Sequence, residues 1–536
     1  MQAIFGRHTR ARAWLGAVLC MLPLGVAAQL TDITQTTPQV PGGAIGKSLL
    51  EEVGTGRGDI LLPGSSWYLV KRDPARAIRR GRQLFQRKFT FEEGHGPRVN
   101  FDSSGDLMTN PALGAGLSDS CASCHGRPRG SAGFGGDVVT RPDSRSAPHL
   151  FGIGLREMIA DEMTANLRAA RATAAERAAA NHASVTLPLM TKQVPFGSIT
   201  ALPDGSFDTS QVEGVNADLR VRPFFADGRE FSLRAFIVGA FNDEMGMQAP
   251  DPLLCAASDP VNPTAVTTAG GLMLDPTLDT IKRPPTCDPN DDADHDGVAN
   301  ELDESLIDYS EIYLLNYFKP GLGKTTARSR QGRALMGPSG CLVCHVQAFR
   351  IDHDRRVADV DTRYDPARGI LNHLYATATT LVDVVDDGDT YPQLVPRRDS
   401  FIADNLFTDF KRHDLGPLFH ERNYDGTLHT QFMTAPLWGV GSKAPYGHDG
   451  RSVTLEEVIL RHGGEAEASK NAFVALGEDN QRKIIEFLQT LVLFPPDDTA
   501  SNLNPGNPAT TNPQDPSQHG SIALSALFQI PSEGGE

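Results

Sequence analysis

Two short segments dominate the interpretation of this 536-residue chain: Cys121-Ala-Ser-Cys124-His125 and Cys341-Leu-Val-Cys344-His345. In a C-x-x-C-H segment, two thiols can each form a thioether with one vinyl group of a single haem, and the adjacent histidine can bind the iron. A four-cysteine zinc site or a thioredoxin-type pair requires no histidine after both cysteine pairs. The segments therefore predict two covalently bound haem c groups with His125 and His345 as iron ligands.

The first 28 residues have the pattern of an export signal. Arg7, Arg10 and Arg12 precede an apolar run over 13–26, and small residues follow it. A membrane anchor is the alternative, but the run has only about 14 residues where a span needs about 20. We therefore expect a periplasmic or secreted protein with no stable membrane span, in a compartment where haem c is attached and disulfides form.

Composition narrows the class of protein further. Hydrophobic residues make up 40% and charged residues 22% of the chain, which is typical of soluble globular proteins. The formal charge of −16 makes nucleic acid an improbable partner. The length predicts two or more domains.

The periodicity around each motif predicts helices. Basic amphipathic segments over 75–89 and 326–336 precede the two motifs, an alanine-rich helix is expected over 155–183, and a closing helix over 484–492. This arrangement resembles the cytochrome c fold present twice. We therefore expect a mainly α protein of two cytochrome c-like haem domains with long irregular loops and an inserted linker. The predicted divisions are a signal peptide (1–28), an extended arm (29–66), a first haem domain (67–250), the linker (251–310), a second haem domain (311–494) and a low-complexity tail (495–536).

The linker contains two further features. Cys255 and Cys287 remain after the motif cysteines are assigned, and an oxidising compartment favours a disulfide between them over two free thiols. An acidic loop follows, in which the side chains at positions 1, 3, 5 and 12 match a calcium-binding loop. The alternative is a solvated acidic loop. The candidate calcium ligands are Asp292, Asp294, Asp296 and Asp303.

Several segments resemble the bacterial di-haem cytochrome c peroxidase superfamily, and more closely its di-haem oxidoreductase branch, once called thiol oxidoreductases. The resemblance covers roughly residues 75–493. The matching segments include Pro148-His-Leu-Phe-Gly-Ile-Gly-Leu155, Arg412-His-Asp-Leu-Gly416, Ala435-Pro-Leu-Trp438-Gly439 and Ala444-Pro-Tyr-Gly-His448-Asp449-Gly450-Arg451.

The resemblance implies two unequal haems: a C-terminal haem that is six-coordinate and transfers electrons, and an N-terminal haem where the oxidant reacts. In the peroxidases a methionine ligand lies fourteen residues after the histidine of the H-D-G motif, and here that position is His462. We therefore expect His345 and His462 as the axial pair of the second haem. Since methionine ligation raises a haem potential, a bis-histidine haem should have a lower one. Met433 is a competing ligand, and a helix-end surface histidine is the alternative reading of His462.

At the first haem, the resemblance directs attention to His149, which either binds the iron or lines an open pocket. Glu157 and, with less support, Glu162 are the nearest acidic candidates for a general acid or base. Trp438 lies in a matching motif and is a candidate aromatic conduit between the haems, or else a buried core residue. His413, His448 and Asp449 are expected to position haem groups by hydrogen bonding.

Together these features predict a peroxidase-like oxidoreductase that reduces peroxide, or oxidises a substrate, at the first haem. The expected partners are a small redox protein or quinol-derived electron donor and a small oxidant such as peroxide. A non-catalytic electron-transfer cytochrome and a dioxygen-dependent enzyme that cleaves an unsaturated polymer are the alternatives.

Overall fold

The structure is a computed structural model that describes residues 48–96, 118–125, 145–293, 296–317, 319–367, 374–385, 393–396, 400–423, 425–493, 502–504 and 521–523. The predicted signal peptide, half of the arm (29–47) and most of the tail lie outside these residues. Asp294 also lies outside them.

The described chain is a mixed α/β protein, with 37% helix and 15% strand. The expectation of a mainly α protein of two cytochrome c-like domains is therefore wrong. The expectation fails for the segments between the helices, which were expected to be irregular. In the described part of the chain these segments form one three-stranded and eight two-stranded sheets.

The helices of the described residues are numbered in chain order. They are α1 (Leu49–Val53), α2 (Ser66–Arg72), α3 (Pro74–Gln86), α4 (Cys121–His125), α5 (Ile153–Asn181), α6 (Leu233–Met245), α7 (Pro252–Ala257), α8 (Glu304–Leu315), α9 (Ala327–Leu335), α10 (Leu455–Arg461), α11 (Glu467–Ala475) and α12 (Glu478–Leu488).

The strands are numbered in the same way. They are β1 (Val185–Thr191), β2 (Val194–Ala201), β3 (Phe207–Asp208), β4 (Val266–Thr267), β5 (Met273–Leu274), β6 (Gly321–Leu322), β7 (Phe349–Ile351), β8 (Ala358–Tyr364), β9 (Leu374–Thr380), β10 (Val382–Val385), β11 (Gln393–Pro396), β12 (Phe401–Ala403), β13 (Arg412–Asp414), β14 (Glu421–Arg422), β15 (Leu428–His429), β16 (Gln431–Met433), β17 (Leu491–Val492), β18 (Asn502–Asn504) and β19 (Ser521–Ala523).

The hairpin of β1 and β2 shows why the strands were missed. Lys192 and Gln193 form its two-residue loop, with φ values of 47° and 69°, and Thr191 pairs with Val194 across it. Positive φ at both loop residues is the geometry of a type I′ turn, for which Asn-Gly is the usual sequence. Because Lys-Gln lacks that signature, the turn is recognisable only once the strands are paired.

A similar pair of helices precedes and follows each motif. In the first half α3 packs on α8, where a side chain at Gly81 would overlap the Tyr309 carbonyl oxygen. In the second half α9 packs on α12, and Gly332 approaches the Lys483 carbonyl in the same way. Close backbone approach therefore explains why both helices contain glycine at the crossing, despite its cost within a helix.

The predicted helices before the motifs are confirmed. Asp73 caps α3, with Pro74 at its first position, and Thr326 caps α9. The long alanine-rich helix is confirmed as α5. The closing helix is confirmed as α12 up to Leu488, whereas Leu491 and Val492, which were expected to continue it, form strand β17.

The domain limits remain a prediction, although α8 runs through the expected boundary at 310–311. This helix packs on α2, α3 and α6, all from the first half. Residues of the second half, including Leu406, Phe410 and Trp438, belong to the same buried core as α8. The first motif therefore lies in a body to which both halves contribute. Among the described helices, none combines the length and apolar character needed to cross a membrane.

Candidate functional site

The first motif occupies α4, and its imidazole is held by a backbone carbonyl. His125 Nδ1 lies 2.7 Å from the Pro148 carbonyl oxygen. Because a carbonyl only accepts hydrogen bonds, Nδ1 carries the proton and the Nε2 lone pair is left for a metal. Burial lowers the pKa of His125 and favours the neutral form that a metal ligand needs.

The second motif repeats this geometry on a different scaffold. Its cysteines lie in and beside a 3₁₀ turn at Cys341–Val343, and His345 Nδ1 donates to the Phe407 carbonyl oxygen at 2.9 Å. Burial lowers the pKa of His345 to about 4. Both motif histidines are therefore oriented with Nδ1 protonated and Nε2 left for a metal.

The cysteines of both motifs also fit haem attachment. All four are free thiols, whereas Cys255 and Cys287 are joined in a disulfide. Burial raises the pKa of Cys121 to about 12 and also raises that of Cys341. Two thiols and one neutral imidazole per motif are the donor set that a haem c requires.

His462 is oriented in the same way as the two motif histidines, by a hydrogen bond from its Nδ1 to a backbone carbonyl. It is the C-cap of α10, and its Nδ1 donates to the Val458 carbonyl oxygen at 2.7 Å. Its ring packs edge-on against Phe419, with ring centres 5.5 Å apart. The charge of His462 also contributes to lowering the pKa of His345.

The H-D-G motif fixes the helix end from which His462 projects. Asp449 pairs with the Arg461 guanidinium at 2.5 Å, and Arg461 also donates to the Leu418 carbonyl oxygen at 2.8 Å. The guanidinium carbon lies 4.4 Å from the centre of the Phe419 ring that contacts His462. Asp449 therefore acts on the imidazole through Arg461, and its expected role in positioning haem groups stays a prediction.

His448 connects the same motif to the first half of the chain. Its ring stacks on Phe432 at 3.9 Å, and its Nε2 lies 3.1 Å from Glu421 Oε1. Glu421 in turn accepts three hydrogen bonds from the Arg145 side chain, at 2.6, 3.0 and 3.1 Å. Burial by itself raises the pKa of Glu421, but His448 and Arg145 outweigh it and lower the pKa to about 2.

A cluster beside the second motif resembles a metal site. Ligand atoms of Cys344, Asp409 and His413 lie within 4.8 Å of one another. His413 also contacts Glu465, with Nδ1 2.7 Å from a carboxylate oxygen. Since Cys344 belongs to the haem-attachment motif, a thioether there would remove the thiolate ligand. The cluster is better explained as the acidic surroundings of His413, which keep it in place beside the haem.

His149 does not have the free Nε2 of the other three histidines. Its Nε2 donates to the Trp438 carbonyl oxygen at 2.9 Å, and its backbone directly follows Pro148. Pro148 lies against Nδ1 of His125, away from the nitrogen that binds iron. His149 Nδ1 is buried and has no hydrogen-bond partner among the described residues, so the ring could serve a metal only through Nδ1, while its Nε2 bridges to Trp438.

The other residues proposed for the first haem have structural partners. Glu157 is buried, its carboxylate accepts from Leu233 N at 2.7 Å, and it pairs with Arg355 at 2.7 Å. Burial is the main reason why the pKa of Glu157 is raised to about 7. Glu162 accepts from two backbone amides and pairs with Lys192. None of the partners of Glu157 and Glu162 named here belongs to a C-x-x-C-H motif.

Trp438 is buried, and its indole lies against Gly152. A side chain at Gly152 would come within 2.6 Å of the ring. The indole therefore packs between the segment that holds His125 and the second half of the chain. This position is compatible both with an aromatic conduit between the haems and with a buried core residue.

The acidic loop shows backbone contacts from three of its four candidate ligands. Asp292 accepts from the amides of Asp296 and Gly297, and Asp303 caps α8 by accepting from Ser305. Asp296 accepts from the Val298 amide at 2.7 Å. Calcium binding by this loop stays a prediction.

Sequence reasoning missed the groups that orient the motif histidines. They are the carbonyl groups of Pro148 and Phe407. It also missed Arg145 and Glu421, which hold His448 of the H-D-G motif. A carbonyl acceptor can come from any residue and leaves no side-chain signature. Glu421 lies 276 residues from Arg145, a separation for which the sequence pattern gave no signal.

Comparison with known proteins supports a family relationship over the C-terminal part of this site. Residues 399–491 match the family model described as "Di-haem oxidoreductase, putative peroxidase". A search of curated proteins returned no match. The matched segment contains His413, Trp438, His448 and His462, but neither C-x-x-C-H motif. Similarity to this di-haem family and the geometry of both motifs thus point to haem cofactors.

Proposed function

We propose that this protein is an exported di-haem c-type oxidoreductase with peroxidase-like chemistry at the first haem and electron transfer through the second. The family match supports the di-haem and oxidoreductase character. One observation supports the division of labour. His462 engages its carbonyl through Nδ1 and leaves Nε2 for a metal, as His345 does, whereas His149 uses Nε2 for the Trp438 carbonyl.

The residues of the chain would share the work as follows. Cys121, Cys124 and His125 hold the first haem, and His125 is kept in the iron-binding tautomer by Pro148. Cys341, Cys344 and His345 hold the second haem together with His462. When bound, haem supplies one-electron redox chemistry and, where a coordination position is open, activation of peroxide.

The two sites differ in what can reach them. Ligation by two histidines saturates the second iron and restricts it to electron transfer, with a potential below that of a histidine–methionine haem. The first site keeps a position for peroxide or another small oxidant. The electrons would come from a small redox protein or a quinol-derived donor in the periplasm or outside the cell.

The first test is electron paramagnetic resonance of the as-isolated protein, with and without hydrogen peroxide, after counting covalent haems by mass spectrometry. We expect two haems, one high-spin and one low-spin ferric signal, and loss of the high-spin signal with peroxide. One haem or none would refute the cofactor assignment. Two low-spin signals that are unchanged by peroxide, with no high-spin signal appearing after one-electron reduction, would identify an electron carrier.

A second prediction concerns His462. We expect His462→Met to raise the midpoint potential of the second haem, because a thioether favours the ferrous state more than an imidazole does. Redox titration followed by absorbance measures the effect. The matched control is His353→Met, at an exposed histidine, which should leave both potentials unchanged. An unchanged potential and spectrum in the His462 variant would mean that another residue, such as Met433, is the ligand.

A further inference from the structure

A continuous chain of hydrogen bonds and peptide groups connects the two motif histidines. It begins at the second motif, where His345 donates to the Phe407 carbonyl at 2.9 Å. The preceding carbonyl, that of Leu406, accepts from Leu437 N at 3.0 Å. Leu437 is followed directly by Trp438, so two hydrogen bonds and two dipeptides join His345 to the Trp438 carbonyl.

The second half of this hydrogen-bonded path runs through His149. Its Nε2 donates to the Trp438 carbonyl at 2.9 Å, and its backbone continues to the Pro148 carbonyl. That carbonyl accepts from His125 Nδ1 at 2.7 Å. The connection from one motif histidine to the other therefore contains four hydrogen bonds, and His149 is its only side-chain bridge between the motif imidazoles.

The middle of this chain is shielded from water. Leu406 and Phe407 are fully buried, and Trp438 is 3% and His149 9% exposed. Phe151 packs against the His149 ring, with ring centres 5.9 Å apart. Few solvent dipoles would have to reorient around a charge moving through such an environment, which favours fast electron transfer.

Close packing also holds the bridge in one position. Gly439 has a φ of 77°, and a side chain there would lie 2.8 Å from His149 Nε2. The backbone at Gly439 thus leaves room for the imidazole to reach the carbonyl of the preceding residue. Glycine is the residue that combines this φ with the absence of a Cβ.

We propose that electrons pass between the two haems along this hydrogen-bonded chain, with His149 as the bridging residue. This inference rests on the proposed function, since it requires two bound haems. One electron leaves the second haem, whose iron goes from ferrous to ferric, and one electron reaches the first, whose iron goes from ferric to ferrous. The reductant is a one-electron donor, and no proton moves because every hydrogen bond keeps its donor.

The alternative route uses the Trp438 indole rather than its carbonyl. The indole contacts Gly152 by packing. Two substitutions separate these routes: His149→Leu removes the hydrogen bond and keeps the indole, whereas Trp438→Phe removes the indole and keeps the carbonyl.

The experiment injects one electron into the fully loaded ferric protein from a photoexcited ruthenium complex and follows equilibration between the haems by absorbance. We expect His149→Leu to slow equilibration about tenfold, the lower range seen when outer partners of metal ligands are removed. His149→Gln, which retains an amide donor, should recover part of the rate, and Trp438→Phe should leave it near that of the wild type. Haem content and both midpoint potentials are measured for each variant.

An unchanged rate in His149→Leu, with both haems attached and potentials intact, would overturn the route. So would a large loss in Trp438→Phe with none in His149→Leu. If His149→Leu does not fold, His149→Phe gives the same test, because it keeps a ring at this position and removes the hydrogen bond to the Trp438 carbonyl. Failure of the proposed function is distinguishable, because it appears in the wild type as missing haems or a first haem that does not respond to peroxide.

Discussion

Arg234→Leu is expected to destabilise the protein by about 3–5 kcal/mol, because it leaves carboxylates buried without their counter-ion. The Arg234 guanidinium has no exposure, and it pairs with Asp251 at 2.5 Å, Asp308 at 2.7 Å and Glu311 at 3.0 Å. These partners are at most 1% exposed. Burial by itself lowers the pKa of Arg234, but the three carboxylates outweigh it and hold the pKa well above its usual range.

The effect should be measured by urea unfolding of the haem-loaded protein. Arg328→Leu is a matched control, because Arg328 also bonds two carboxylates, those of Asp479 and Glu486, but at an exposed site. Exposed ion pairs contribute little to stability, so this control should unfold at nearly the wild-type urea concentration. Equal losses in the two variants would show that the buried cluster does not depend on Arg234 for its charge balance.

Gly332→Ala is the second substitution with a large expected effect. An added Cβ would lie 1.8 Å from the Lys483 carbonyl oxygen, so α9 and α12 would have to separate. Overpacking of this kind costs about 1–3 kcal/mol, and we expect the upper end because the clash is with backbone rather than with a movable side chain. Thermal unfolding of the loaded protein measures the loss.

Gly239→Ala provides the control for this prediction. Gly239 lies within α6, and the nearest atom to an added Cβ is Lys282 Nζ at 3.8 Å. There the better helix propensity of alanine should stabilise the protein by up to about 1 kcal/mol. If Gly332→Ala were as well tolerated as Gly239→Ala, the close crossing of α9 and α12 would not contribute to stability.

The predictions from local pattern succeeded for the helices. The caps at Asp73, Thr326 and Thr454 depend on residues within one turn, so their signal is contained in a few positions. The strands were not predicted, because their pairing depends on residues that are distant in the sequence. Strand β13 pairs with β16, and β7 with β12, across stretches whose intervening residues do not determine the pairing.

The candidate site residues show the same contrast between local and long-range signals. His462 could be selected from its spacing after the H-D-G motif, and the structure orients it as His345 is oriented. Glu157 was selected by nearness in sequence to the first motif. In the structure its carboxylate binds the Leu233 amide and Arg355 instead, because this side chain of α5 points into the core.

The sequence by itself determined the chemistry that this protein can attempt, since thioether attachment and iron ligation depend on residues within five consecutive positions. Only the tertiary structure decided how the two motifs are oriented and connected. The carbonyls of Pro148 and Phe407 that hold the imidazoles have no side-chain signature, and the bond from His149 to Trp438 spans 289 positions. Such contacts form because burial leaves no water to satisfy these groups, and each must find its partner wherever the fold brings one within reach.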